Sequence, residues 1–175
     1  EALQNKQRAL GIQRKAFGEN HPAVATSYNN IGASFQSLGR HEEALQNKQR
    51  ALGIQRKAFG ENHPAVAISY NNIGLSLDSL GRHEEALQNH QWAFEMLLKV
   101  FGENHPHVAA SYANIVNCLK RDAKLWKTSA ATEIETFLRE QLGKEHALTL
   151  RFMQDKNSNN IVIAKKEQAK KCVIQ

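Results

Sequence analysis

The chain repeats itself with a fixed period. Pro22, Pro64 and Pro106 are its only prolines, and each stands 42 residues from the next. Residues 1–42 and 43–84 agree everywhere except at Thr26/Ile68, Ala33/Leu75, Phe35/Leu77 and Gln36/Asp78. A third copy opens as Glu85-Ala86-Leu87-Gln88-Asn89 and keeps Gly102-Glu103-Asn104-His105-Pro106. A weaker echo, Gly143-Lys144-Glu145-His146-Ala147, is one residue out of phase and lacks the proline. A period of this size restricts the fold to an array of like units, each burying its apolar face against the next.

The pattern predicts two helices per unit. One opens at His63-Pro64, because proline fits the first helical position, where no N–H is needed. Val66, Tyr70, Ile73, Gly74 and Leu77 follow at steps of three and four. Gly81 then ends the helix as a left-handed cap residue. The second starts near Glu84-Glu85, whose charges suit the positive end of a helix dipole. It carries Ala86, Leu87, Ala93, Leu97 and Val100 and stops at Gly102. No stretch alternates with period two, so no sheet is expected.

The expected divisions are 1–21, the second helix of a preceding unit, then full units at 22–63 and 64–105. A divergent unit at 106–146 follows, and 147–175 reads as a degenerate helix with a basic tail. In the divergent unit Ala130, Ile134, Phe137, Leu138 and Leu142 form the expected stripe, and Leu125-Trp126 replaces the acidic start. Drift in a terminal repeat is what a capping unit shows. Gln154–Asn160 reads as a loop. A start in mid-unit, without Met, leads us to expect a piece of a longer chain.

Composition excludes several classes. Apolar residues are 41% and charged residues 23%, as in ordinary soluble chains. The longest strongly apolar run, Ile161–Ala164, is far short of a membrane span. Two cysteines, Cys118 and Cys172, cannot make a disulfide scaffold and fit a reducing, cytoplasmic setting. There is no phosphate loop, nucleophile elbow or His-Glu-x-x-His, so no enzyme and no cofactor are expected. The paired acids Glu42-Glu43 and Glu84-Glu85 recur with the unit, unlike an active site.

Tyr28, Ile31-Gly32, Phe35, Gly39, Ala44 and Ala51 follow the spacing of the tetratricopeptide repeat (TPR). Tyr70, Ile73-Gly74, Leu77, Gly81, Ala86 and Ala93 follow it again. With Gly-Glu-Asn-His-Pro between units and Gly-Arg-His-Glu-Glu-Ala within them, residues 1–147 resemble the long-helix variant of kinesin light chains and nephrocystin-3-like proteins. Proteins with this variant include cargo adaptors, ciliary scaffolds and sensor arrays. The resemblance implies an all-α fold, a right-handed α-solenoid of antiparallel helix pairs (a TPR superhelix). It also implies a non-catalytic protein–protein interaction scaffold whose first helices line a concave groove for a partner peptide. The chain departs from the pattern at Val116, which replaces a contact Gly, and at Thr128, which replaces an Ala. The coiled-coil heptads that join kinesin light chains to a motor are absent from these residues.

Counting along that motif assigns Thr26, Asn29, Asn30, Ala33 and Gln36 to the groove in one unit. Ile68, Asn71, Asn72, Leu75 and Asp78 follow in the next, then Ala110, Ala113, Asn114, Asn117, Lys120 and Arg121. Asparagine offers one acceptor and two donors, so an Asn row suits a peptide backbone. Positions 33, 36, 75, 78, 120 and 121 would select side chains. Three of the four differences between copies, at 26/68, 33/75 and 36/78, fall on this expected face. Partner selection and neutral drift both account for that count.

The basic residues divide in two. Lys6, Arg8, Arg14, Lys15 and their copies Lys48, Arg50, Arg56 and Lys57 read as a solvated face of the second helices. Lys120, Arg121, Lys124 and Lys127 would draw an acidic partner, and kinesin-light-chain-like grooves imply acidic peptides containing Trp. No aromatic-studded basic strip points to nucleic acid. His21, His63 and His105 recur too far apart, on the order of 10 Å for stacked units, to share a metal, so no metal site is expected. They read as helix-start residues, and His41 and His83 as packing residues with a wet edge. Trp92 reads either as a cover for the next hairpin or as an exposed contact, and Phe94 as core.

The chain ends Lys170-Lys171-Cys172-Val173-Ile174-Gln175, a C-a-a-X pattern behind Lys165 and Lys166. Two readings stand: a chance tail, or a Cys172 prenylation site tethering an adaptor to a membrane with help from the basic cluster. A third role, a spacer within a longer array, also fits near-identical repeats.

Overall fold

The prolines mark helix starts in the computed structural model of the chain. The structure describes residues 1–173, with side chains as far as Asn160 and that of Val162. The Cys172 motif therefore lies outside the residues whose side chains are described. All regular elements among the described residues are helical. They are α1 (Ala2–Phe17), α2 (Pro22–Ser37), α3 (His41–Phe59), α4 (Pro64–Ser79), α5 (His83–Phe101), α6 (Pro106–Arg121), α7 (Ser129–Gln141) and α8 (Ala147–Val173). A short 3-10 helix, Ala123–Lys127, precedes α7. None of the described helices is long and apolar enough to cross a membrane.

The residues cluster into two compact units, Glu1–Asn114 and Ile115 onward. In the first, each helix packs on its sequence neighbour: α1 on α2, α2 on α3, α3 on α4 and α4 on α5. Loops of three or four residues, 38–40 and 60–63, force such neighbours antiparallel. The core is the expected stripe: Val24, Ala25, Tyr28, Ile31, Phe35, Ala44, Ala51 and Ile54 bury together in one cluster. One repeat on, Val66, Ala67, Ile73, Leu77, Ala86 and Ala93 are buried at the corresponding places, and Tyr70 and Met96 are partly buried there. Leu87, Phe94 and Leu97 add to the core, whereas Val100, expected on the stripe, is 47% exposed. Buried alanines let the helix backbones approach closely.

Recurrent caps fix where each first helix begins and ends. His21, His63 and His105 accept the N–H of Ala23, Ala65 and His107 at Nδ1, at 3.1, 3.1 and 3.2 Å. Each ring also stacks on the phenylalanine four residues before it, with centroids 4.7, 4.4 and 4.2 Å apart for Phe17, Phe59 and Phe101. An N-cap acceptor of this kind contributes about 1 kcal/mol. At the other end of α4, Gly81 adopts φ 74°. This conformation lets Arg82 donate to Leu77 O at 2.9 Å and Gly81 to Asp78 O at 3.1 Å.

The second unit has its own buried set: Leu125, Trp126, Ala131, Ile134, Leu138 and Phe152. Trp126 and Phe152 meet with centroids 5.3 Å apart. Two expectations need correction here. The stripe on α7 runs through Ala131, not Ala130, which is only partly buried. Gln154–Asn160 is not a loop but the middle of α8. Its polar side chains are used in pairing: Lys156 Nζ lies 2.8 Å from Glu135 Oε2, and Asn159 Nδ2 donates to Ala123 O at 3.5 Å. A polar run reads as a loop by composition, whereas here the polar groups dock the helix.

Candidate peptide-binding groove

The first helices of the first unit pack through one stripe and leave the opposite stripe open. On α2 the open stripe is Thr26, Asn30, Ala33 and Ser37, all exposed. Steps of four, three and four residues put them on one helix face. The matching stripe of α4 is Ile68, Asn72, Leu75 and Ser79, with Asn72 partly buried and the others exposed. Ile68 and Leu75 expose 39% and 37% of their surface, so the second copy presents two apolar side chains where the first presents Thr26 and Ala33. Ala110 and Ala113 on α6 are exposed and Asn114 is partly buried.

Other expected groove residues point inward. Asn71 Oδ1 accepts from His90 Nδ1 at 3.1 Å and from Ser111 Oγ at 3.3 Å. It is a joint between α4, α5 and α6, so its replacement would alter stability along with any binding. Asn29 is partly buried, and its Oδ1 meets no donor among the described residues. Gln36 is partly buried and accepts from Lys48 Nζ. Asp78 is not a groove residue: its side chain is 3% exposed, with Oδ1 2.9 Å from His83 Nδ1 and Oδ2 3.6 Å from His90 Nε2. Of the four differences between copies, two therefore lie on the open face, at 26/68 and 33/75. The 36/78 difference is an interior exchange.

Lys48 also departs from expectation. It does not belong to a solvated face but is buried, at 5% exposure. Its ammonium donates to Gln36 of α2, to Asn72 O at 3.1 Å and to Ser76 Oγ at 2.9 Å on α4. Burial lowers its pKa from 10.5 to about 8. Lys6 makes the same reach one repeat earlier, to Asn30 O at 3.4 Å and Ser34 Oγ at 2.6 Å. The third equivalent is His90, fully buried.

Asn117, Lys120 and Arg121 belong to the second unit and are exposed. Lys120 Nζ lies 3.0 Å from Asp155 Oδ1, which offsets part of its charge. Trp92 is 42% exposed and meets Tyr70 edge-on, with centroids 5.3 Å apart. Phe94 is core, at 1% exposure.

A tetratricopeptide repeat family model matches residues 1–57 and 25–99, together more than half the chain. The chain belongs to the tetratricopeptide repeat family. Among solved structures, the TPR array is similar to a kinesin-light-chain-type protein of Podosopora anserina with nearly identical TPR-like repeats. The TM-score is 0.70 at 17% identity, over 98% of this chain and 82% of that one. It is also similar to BtubC (BKLC) of P. vanneervenii, with TM-score 0.65 at 24% identity, over 91% of this chain and 57% of that one. The apo form of RapI matches with TM-score 0.58 at 14% identity, over 93% and 59%. At these identities the likeness is one of fold. No curated protein matches the sequence. TPR folds typically serve as protein–protein interaction scaffolds.

Proposed function

We propose that this TPR array is a non-catalytic, cytoplasmic scaffold that holds a partner segment along the open stripes of α2, α4 and the start of α6. One observation carries the reading: Ile68 and Leu75 are exposed apolar side chains flanking the Asn72 amide, on a helix that otherwise differs from α2 only at Leu77 and Asp78. An apolar pair on an open helix face suits a partner's apolar side chains. The exposed amide of Asn30 and the partly buried one of Asn72 suit the partner's backbone. The net charge of +6 favours an acidic partner at long range.

Peptide display against the purified chain tests this. The counter-screen is the Ile68→Thr, Leu75→Ala variant, which gives α4 the residues that α2 already tolerates. Enrichment of a motif lost on the variant supports the reading. Enrichment indifferent to the variant moves the site elsewhere, and no enrichment from a folded helical sample favours a spacer.

A further inference from the structure

The pocket beside Trp92 sits apart from the open stripes and is built differently from its sister. It is a cavity of about 210 Å³ lined by Glu61, Asn62, Tyr70, Trp92, Glu95 and Met96. The two rings meet at 64°, forming two walls of a corner. In the preceding copy the equivalents of Tyr70, Trp92 and Glu95 are Tyr28, Arg50 and Gly53. There the chain places its own cation on the tyrosine: the Arg50 guanidinium carbon lies 5.8 Å from the Tyr28 ring centroid. In the later copy that cation is gone, a second ring replaces it, and a carboxylate has been added one turn on.

The charges are arranged to match. Glu61 is compensated by Arg56, 2.6 Å away. Glu95 takes a hydrogen bond only from the neutral Gln91 amide, at 2.8 Å, so its charge has no counter-ion within the described residues. We propose that this corner receives the guanidinium of an arginine side chain from a partner, in the role that Arg50 fills internally one repeat earlier. A planar guanidinium stacks on an aromatic face while its fork reaches a carboxylate, and an ammonium does this less well.

The test is NMR titration of the full chain with an acetyl-Gly-Arg-Gly-amide peptide, read at the Trp92 indole N–H and the Met96 methyl. Both resonances shift saturably, and the buried Trp126 indole does not. The peptide with citrulline, isosteric but neutral, binds at least about tenfold more weakly, and the lysine peptide falls between. Trp92→Arg, which restores the sister residue on an exposed site, abolishes the Met96 shift while circular dichroism stays unchanged. Glu95→Gln weakens binding about threefold. Absence of a saturable shift, equal binding of citrulline, or retained binding in Trp92→Arg overturns the proposal.

Discussion

The junctions around Lys48 and His90 occupy the same place in successive repeats, yet they are held together differently. At the first, a flexible ammonium reaches from α3 to Gln36 on α2 and to Asn72 and Ser76 on α4. At the second, a flat imidazole lies against α4, with Asn71 at one nitrogen and Asp78 near the other. The residue at 36/78 changes together with the residue at 48/90: Gln goes with Lys, Asp with His. A repeat can therefore keep its apolar shell and exchange its polar interior as a matched pair. The open stripe changes between the same two repeats, at 26/68 and 33/75.

The largest expected effect tests how closely the imidazole is seated. A Cβ on Gly74 would meet His90 Cε1 at 2.5 Å, whereas one on Gly32 would meet Lys48 Cγ at 3.0 Å and Ala44 O at 3.1 Å. Gly74→Ala should lower stability by about 2–4 kcal/mol, because a packed ring cannot yield as a lysine stem does. Gly32→Ala should stay within about 1 kcal/mol of the parent, helped by alanine's helix propensity. Urea denaturation of both variants checks this, and equal losses would erase the distinction between the junctions.

Next in size is the exchange itself. Asp78→Gln and His90→Lys should each cost about 1–2 kcal/mol, since each leaves a buried polar partner mismatched. The double variant rebuilds the Lys48 arrangement and should recover about 1 kcal/mol of the summed loss. A strictly additive cycle would show that the two positions differ by coincidence.

The smallest effect is a pH slope. Lys48 is lowered from 10.5 to about 8 by burial, so its charged form is disfavoured in the folded chain. Between about 8 and 10.5 the unfolded chain binds the extra proton, and stability gains from this group as pH rises through that window. The difference between the parent and Lys48→Met should show this rise, by about 1 kcal/mol. A flat difference would place Lys48 in water, and one that falls with pH would show that the fold favours its charged form; either contradicts the burial.

Much of the architecture was legible from spacing alone. His63-Pro64, Gly81 and Glu84-Glu85 carry their helix boundaries in local chemistry, and the structure starts α4 at Pro64 and α5 at His83. The interior polar contacts were not local. Lys48 looks like a surface residue until Gln36, Asn72 and Ser76 are brought to it from two other helices. Position 78 borders the open and packed stripes of α4, so counting along the motif could not decide its side. The paired change at 36/78 and 48/90 was the available signal. The open stripe was partly legible: Thr26, Asn30, Ala33, Ile68 and Leu75 are exposed as counted, whereas Asn71 serves the stack.

The most direct measurement is the affinity of a display-selected peptide for the chain and for its Asn72→Ala, Leu75→Ala variant, with melting curves alongside. The variant should lose at least about tenfold in affinity, about 1.4 kcal/mol, with the melting temperature shifted by no more than a few degrees. Unchanged affinity in the folded variant would contradict that expectation and place the binding surface off the first helices.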